Sequence, residues 1–112
     1  LVARSPSVLE KILRRATMGQ SESKTPLFVF ARIHPKAEFY DEAKTALLSV
    51  LPQTRAEAGC KQFFVHESRN GDGCLYLYEE WQDEAALAFH YEQDYIKTIF
   101  KAYEEWLPAP PP

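Results

Sequence analysis

No stretch of this chain restricts its fold more than the one between Lys61 and Trp81. It runs Lys-Gln-Phe-Phe-Val-His-Glu-Ser-Arg, then Asn70-Gly71-Asp72-Gly73, then Cys-Leu-Tyr-Leu-Tyr-Glu-Glu-Trp. Two runs rich in aromatic and β-branched residues around a Gly-rich link predict a β-hairpin, because glycine reaches positive φ without steric penalty. Strands over 61–69 and 74–81, centred on the four-residue link, pair Glu67 with Tyr76, Val65 with Tyr78 and Phe63 with Glu80. On the opposite face they pair His66 with Leu77, Phe64 with Glu79 and Gln62 with Trp81. A slip of one residue would send every side chain to the other face. In this register Glu79 and Trp81 share a face with Gln62, Phe64 and His66. Neither face is plainly polar, so a cover is expected on both.

Upstream, Leu27-Phe28-Val29-Phe30-Ala31-Arg32-Ile33 is almost continuously apolar, which predicts a central strand buried on both faces. Pro35 ends it. A helix follows from about Lys36 to Arg55, with Phe39, Ala43, Ala46, Leu47, Val50 and Leu51 as its apolar stripe. Pro52 predicts a break near Leu51. Downstream of the hairpin, Asp83 is placed to cap a helix carrying Ala85, Ala86, Leu87 and Phe89. A break around Gln93-Asp94 starts a second helix with Tyr95, Ile96, Ile99, Phe100, Tyr103, Trp106 and Leu107. Strand, helix, strand, strand and two helices make an α+β domain of ferredoxin-like type without an evident final strand.

At 112 residues the chain suits one domain, and its 46% hydrophobic share excludes global disorder. No apolar run approaches the ~20 residues of a membrane span. A net charge of -3 provides no electrostatic footprint for nucleic acid. Residues 1–26 read as an extension: a short amphipathic helix around Ser7–Leu13, then a polar linker. Its first 17 residues carry Arg4, Lys11, Arg14 and Arg15 against Glu10 alone. A start at Met18, the only methionine, would make them vector-derived or an upstream extension, and a transit-like segment is the third reading. The domain proper covers residues 27–107. Residues 108–112, Pro-Ala-Pro-Pro-Pro, form an extended tail. Cys60 and Cys74 begin the two strands of one hairpin, too far apart to be bridged within the ~7 Å Cα limit. A reducing, cytoplasmic compartment fits that pair.

The first strand, the helix ending in Arg55-Ala56-Glu57-Ala58-Gly59-Cys60, the second strand, Leu77-Tyr78-Glu79-Glu80-Trp81, Asp83-Glu84-Ala85-Ala86-Leu87 and His90 follow in an order that resembles the antibiotic biosynthesis monooxygenase domain family. The resemblance covers about residues 27–107. It implies a ferredoxin-like subunit of the dimeric α/β-barrel type, with an antiparallel sheet covered by helices on one face and by a partner's sheet on the other. A homodimer through sheet-to-sheet packing would supply the second cover. The resemblance also implies a pocket between sheet and helices, which characterised members use to oxidise aromatic quinols or polyketides without metal or flavin. No cofactor and no metal are therefore expected. Other relatives degrade haem or isomerise small phosphorylated signalling molecules. Many members end with a strand that crosses to the partner, whereas proline, which cannot donate to a ladder, follows Leu107 here. The haem-degrading branch carries an Asn, a Trp and a His where this chain has Ala31, His90 and Phe100, so haem oxygenation is not expected.

His90 is the first catalytic candidate, since imidazole exchanges protons near neutral pH. The plainer reading is a helix histidine bonded to Glu79. Glu79 on an apolar strand face must be paired or protonated; it either orients His90, acts as a base itself, or forms a structural ion pair. Trp81 either stacks on a planar substrate and donates its indole N–H, or is core. His66, Phe64, Arg32 and Gln62 are the substrate-binding candidates, with Arg32 suited to a phenolate or carboxylate, or to an acid at the sheet edge. Tyr78 and Tyr103 are further hydrogen-bond donors. No phosphate loop, zinc pattern or Ser-His-Asp arrangement is visible. The expected activity is cofactor-independent monooxygenation of a small aromatic, quinol-type substrate with O2. An isomerase or lyase acting on a small polar metabolite, and a non-catalytic, stress-associated dimeric binding module, stay open as alternatives.

Overall fold

Alternation along the first strand sets the architecture. In β1 (Leu27–Ile33), Ala31 and Ile33 are 1% exposed, whereas Phe28 and Phe30 are 57% and 71% exposed. The computed structural model describes residues 25–108. After β1 come a 3₁₀ turn (Ala37–Phe39), α1 (Tyr40–Ser49), α2 (Leu51–Arg55), β2 (Cys60–Glu67), β3 (Leu75–Trp81), α3 (Glu84–Tyr91) and α4 (Asp94–Trp106). The three strands form an antiparallel sheet in the order β1-β3-β2, with the helices over one face. This is the expected α+β, ferredoxin-like architecture. The expected amphipathic helix at 7–13, the linker up to residue 24 and residues 109–112 lie outside the described residues. Among the described residues no helix is long and apolar enough to cross a membrane.

Two expectations are corrected. β3, not β1, is the central strand, and β1 is a one-sided edge strand. Its continuous apolar run misled because its outward positions are phenylalanines. The hairpin register is also displaced by one residue: Glu67 pairs with Leu75, Val65 with Leu77 and Phe63 with Glu79. The cause is a longer link. Gly71 N–H bonds the Ser68 carbonyl at 3.2 Å, and the Asp72 carboxylate accepts from Cys74 N–H at 2.9 Å, so the strands begin outside residues 68–74. Gly71 and Gly73, at φ 67° and 80°, supply the left-handed turns. Gln62, Phe64 and His66 therefore sit on the outer face, opposite Glu80, Tyr78 and Tyr76. They do not share a face with Glu79 and Trp81. Arg32 lies on that outer face too, opposite Tyr76 on the other side of β3.

The helices follow their local chemistry. The first helical segment breaks at Val50, and Pro52 falls in the first turn of α2, where its missing N–H leaves no hydrogen bond unmade. The Arg55 guanidinium then donates twice to the Phe63 carbonyl, at 3.0 and 2.7 Å, tying α2 to β2. The Asp83 carboxylate accepts from Ala86 N–H at 2.9 Å and caps α3. Gly59 permits α3 to sit close, because a Cβ there would come 2.3 Å from that of Ala86. Beneath the helices, Ile33, Phe63, Leu75 and Trp81 meet Leu47, Leu87, Ile99 and Tyr103 in one core. Cys60 and Cys74 lie at opposite ends of the hairpin and are free thiols.

Candidate active site

Leu77, Glu79 and Trp81 occupy alternate positions of β3 and so all face the helices. Glu79 is 4% exposed and lies among apolar side chains. Its Oε1 accepts the Trp81 indole N–H at 2.9 Å. α3 carries His90 over the same strand end, with its ring centroid 4.5 Å from that of Trp81 and the planes tilted by 40°. Imidazole, indole and carboxyl are thus brought together, but they are not linked as sequence reasoning suggested. The partner of His90 is Glu57, whose Oε2 lies 2.8 Å from Nδ1. The Tyr95 hydroxyl, from the first turn of α4, donates to the same Glu57 oxygen.

Glu57 went unnoticed as a site residue because its role depends on a contact across 33 positions. The one usable signal is its place in the Glu57-Ala58-Gly59-Cys60 corner, which delivers the chain beneath α3. Gln82 N–H bonds the Gly59 carbonyl at 2.8 Å and holds that corner against the end of β3.

Between sheet and helices lies a cavity with about 30 Å³ open to the centre of a water molecule, lined by Glu79, His90, Tyr91, Phe100 and Tyr103 among aliphatic side chains. That is room for one or two waters. Desolvation raises the Glu79 carboxyl to about 7, opposed only by the Trp81 N–H. Desolvation also lowers the His90 imidazole below its ordinary value, with Glu57 pulling the other way. Near neutral pH the cavity therefore holds an uncharged imidazole and a carboxyl close to half protonation. Burial pushes the Tyr91 and Tyr103 phenols well above their usual range. Burial, and then Glu57, raise the Cys60 thiol to about 11, so it is no thiolate nucleophile at neutral pH. Among the described residues no group of three or more His, Cys, Asp or Glu side chains is arranged to hold a metal ion.

The remaining sequence candidates belong to other surroundings. Arg32 Nε donates to Cys74 Sγ at 3.3 Å, away from the cavity. The Phe64 ring lies 5.3 Å from the Arg55 guanidinium and 6.2 Å from the His66 ring on the outer face. Gln62 is exposed there beside them. Tyr78 also points outward, whereas Tyr103 lines the cavity.

The sequence pattern of the family described as "Antibiotic biosynthesis monooxygenase" matches residues 26–102. The chain belongs to the antibiotic biosynthesis monooxygenase family. "Putative monooxygenase YcnE" of Bacillus subtilis is 30% identical over 86 residues, which span 75% of this chain and 86% of that protein. The crystal structure of PA3566 from Pseudomonas aeruginosa is similar with a TM-score of 0.70 and 30% identity, covering 74% of this chain and 84% of that one. The structure of Rv0793 from Mycobacterium tuberculosis gives a TM-score of 0.71 at 29% identity, covering 77% and 87%. Family membership supports a monooxygenase-type function in general terms. Within this monooxygenase-family domain, the inner end of β3 and the facing helices α3 and α4 form the enclosed polar site.

Proposed function

We propose that this chain is a cofactor-independent monooxygenase that oxidises a small, electron-rich aromatic of quinol type with O2, as a homodimer packed sheet to sheet. The observation that carries the reading is that the buried His90 and Glu79 side chains both line one small, mostly apolar cavity. His90 takes the phenolic proton. The resulting anion passes one electron to O2, and the aryloxyl radical and superoxide recombine at a ring carbon that bears hydrogen. The hydroperoxide loses water to leave a carbonyl, so one oxygen atom enters product and the other leaves as water. All four electrons come from the substrate. Glu79, raised to about 7 by its burial, keeps a protonated fraction near neutral pH that can bond a substrate oxygen or protonate the departing one. Trp81 closes the floor beneath His90 and excludes water.

The cavity is small for an aromatic ring, so this reading requires lining side chains such as Tyr91 and Phe100, whose rings lie 5.5 Å apart, to move when a substrate binds. The homodimer reading is supported by the outer face, where Phe28, Phe30 and Phe64 are exposed. A reducing compartment such as the cytoplasm suits the two free thiols.

Oxygen uptake with a synthetic hydroquinone tests the assignment. Loss of a general base lowers rates by about 10²–10⁴, so His90→Ala is expected to fall in that range, and Glu79→Gln by at least about tenfold. Uptake as fast as wild type in both variants would sink the proposal. An isomerase would use the same proton-transfer pair, and O2 consumed in step with product separates the two.

A further inference from the structure

Glu57 and Tyr95 stand beside the cavity without lining it, and their arrangement decides which nitrogen of His90 meets a substrate. Glu57 Oε2 faces both His90 Nδ1 and the Tyr95 hydroxyl. An ionised carboxylate only accepts hydrogen bonds, and a phenol has a single proton to give. The Tyr95 phenol keeps that proton at neutral pH, since burial and its bond to Glu57 raise it to about 12. With Tyr95 donating to Oε2, the hydrogen in the second contact must come from Nδ1. Nε2 then carries the lone pair. Among the described residues Nε2 has no hydrogen-bond partner, and the His90 ring borders the cavity.

We propose that Glu57 and Tyr95 are positioning residues that hold His90 in its Nδ1-protonated form, so that Nε2 is the atom that accepts the substrate proton. The proposal rests on the reading of His90 as the base. It adds two roles that the cavity lining does not reveal. When Nε2 takes a proton the ring becomes cationic, and the Glu57 carboxylate 2.8 Å away stabilises that cation. Tyr95 moderates the carboxylate by sharing its charge, which keeps the imidazolium from being so stable that it fails to release the proton later. The other titratable groups around the ring are Tyr91 on α3 and Glu79 on β3, with Cys60 beside Glu57 at the start of β2. All three are unchanged in the variants below, so comparison with wild type cancels their influence.

The test is nitrogen-15 NMR of the histidine rings in the full chain, with His90 assigned against His34→Gln and His66→Gln at exposed positions. Wild type is expected to show a pyrrole-like Nδ1 and a pyridine-like Nε2. Glu57→Gln keeps a carbonyl oxygen for both donors but loses the charge. Its His90 should retain the same tautomer, protonate at lower pH than wild type, and oxidise a synthetic hydroquinone about 10–100-fold more slowly, the range typical of outer-shell partners. Tyr95→Phe should raise the pH at which His90 protonates. A wild-type ring protonated at Nε2, or a His90 titration unmoved in both variants, overturns the proposal. If the tautomer and both titration shifts appear while wild type leaves the hydroquinone untouched, the positioning stands and only the monooxygenase reading falls. If wild type is active and Glu57→Gln is equally fast, the positioning role is the part that fails.

Discussion

Replacing Glu79 with Gln should make the protein more tolerant of alkaline pH. The carboxyl has an ordinary value of 4.5 and is raised to about 7 in the fold. Between those values the native state holds a proton that the unfolded chain releases, so unfolding becomes easier as pH rises. The stabilisation is fully present below about 4.5 and is lost as pH climbs through about 7. Each unit between the two values is worth about 1.4 kcal/mol, so the whole effect is on the order of 3 kcal/mol, of which roughly 2–3 kcal/mol falls between pH 5 and pH 8. His90 acts in the opposite sense. Its value is lowered in the fold, so it contributes stability above about 6.5 that is lost as pH falls through its folded value. Total stability therefore mixes both groups, and the informative quantity is the difference between wild type and Glu79→Gln. The amide oxygen can still accept the Trp81 indole N–H, which keeps the substitution close to isosteric. Urea unfolding at pH 5 and pH 8, at one protein concentration, should show wild type losing roughly 2–3 kcal/mol more than the variant. Equal losses in the two proteins would show that Glu79 ionises at its ordinary value, and the account of its burial would be wrong.

Asp83→Ala removes the cap of α3 and should destabilise the chain by about 1 kcal/mol in urea titration, with Asp83→Asn recovering most of it. Gly59→Ala forces a Cβ to 2.3 Å from that of Ala86, an overpacking expected to cost about 1–3 kcal/mol. Adding Ala86→Gly should restore part of that loss, and a double-mutant cycle without coupling would refute the contact. Phe30→Glu, at a position 71% exposed in the single chain, should leave the circular dichroism spectrum intact. If the chain is the sheet-to-sheet dimer proposed above, the variant should also sediment as a monomer, whereas a sedimentation coefficient unchanged from wild type would remove this face from the interface.

Much of the fold was readable because its signals are local. The capping Asp83, the break at Gln93, the interruption by Pro52 and the alternation of Leu75, Leu77 and Glu79 each act within a turn or a strand. The register was not readable in the same way. It depended on whether Ser68, Arg69 and Cys74 belong to strands or link, and side-chain bonds such as that from Cys74 N–H to Asp72 made the decision. One displaced residue was enough to move Gln62, Phe64 and His66 off the cavity face. In β1, outward phenylalanines imitated a buried strand. The site itself was half legible: His90, Glu79 and Trp81 announced themselves as polar or amphipathic groups on apolar faces. Glu57 and Tyr95 did not, because an acid in a loop and a tyrosine on an amphipathic helix have no periodicity to violate.

The register of β2 also shifts once within the strand. Cys60 pairs with Trp81 and Gln62 with Glu80, leaving Lys61 as an extra residue in a bulge. Everything after Lys61 is held by the ladder to β3, and the corner before it carries Glu57. Lys61 is thus a spacer between that ladder and a corner that is itself tied to the end of β3 by the Cys60–Trp81 pair and by the bond from Gln82 N–H to the Gly59 carbonyl. Deleting it should regularise the strand and draw Glu57 along by one residue, about 3.3 Å of strand rise, far enough to part it from His90. Such a variant is expected to keep its sheet by circular dichroism while His90 loses its fixed tautomer. A deletion that unfolds the sheet, or one that leaves the tautomer in place, would show that bulge and site are not coupled in this way.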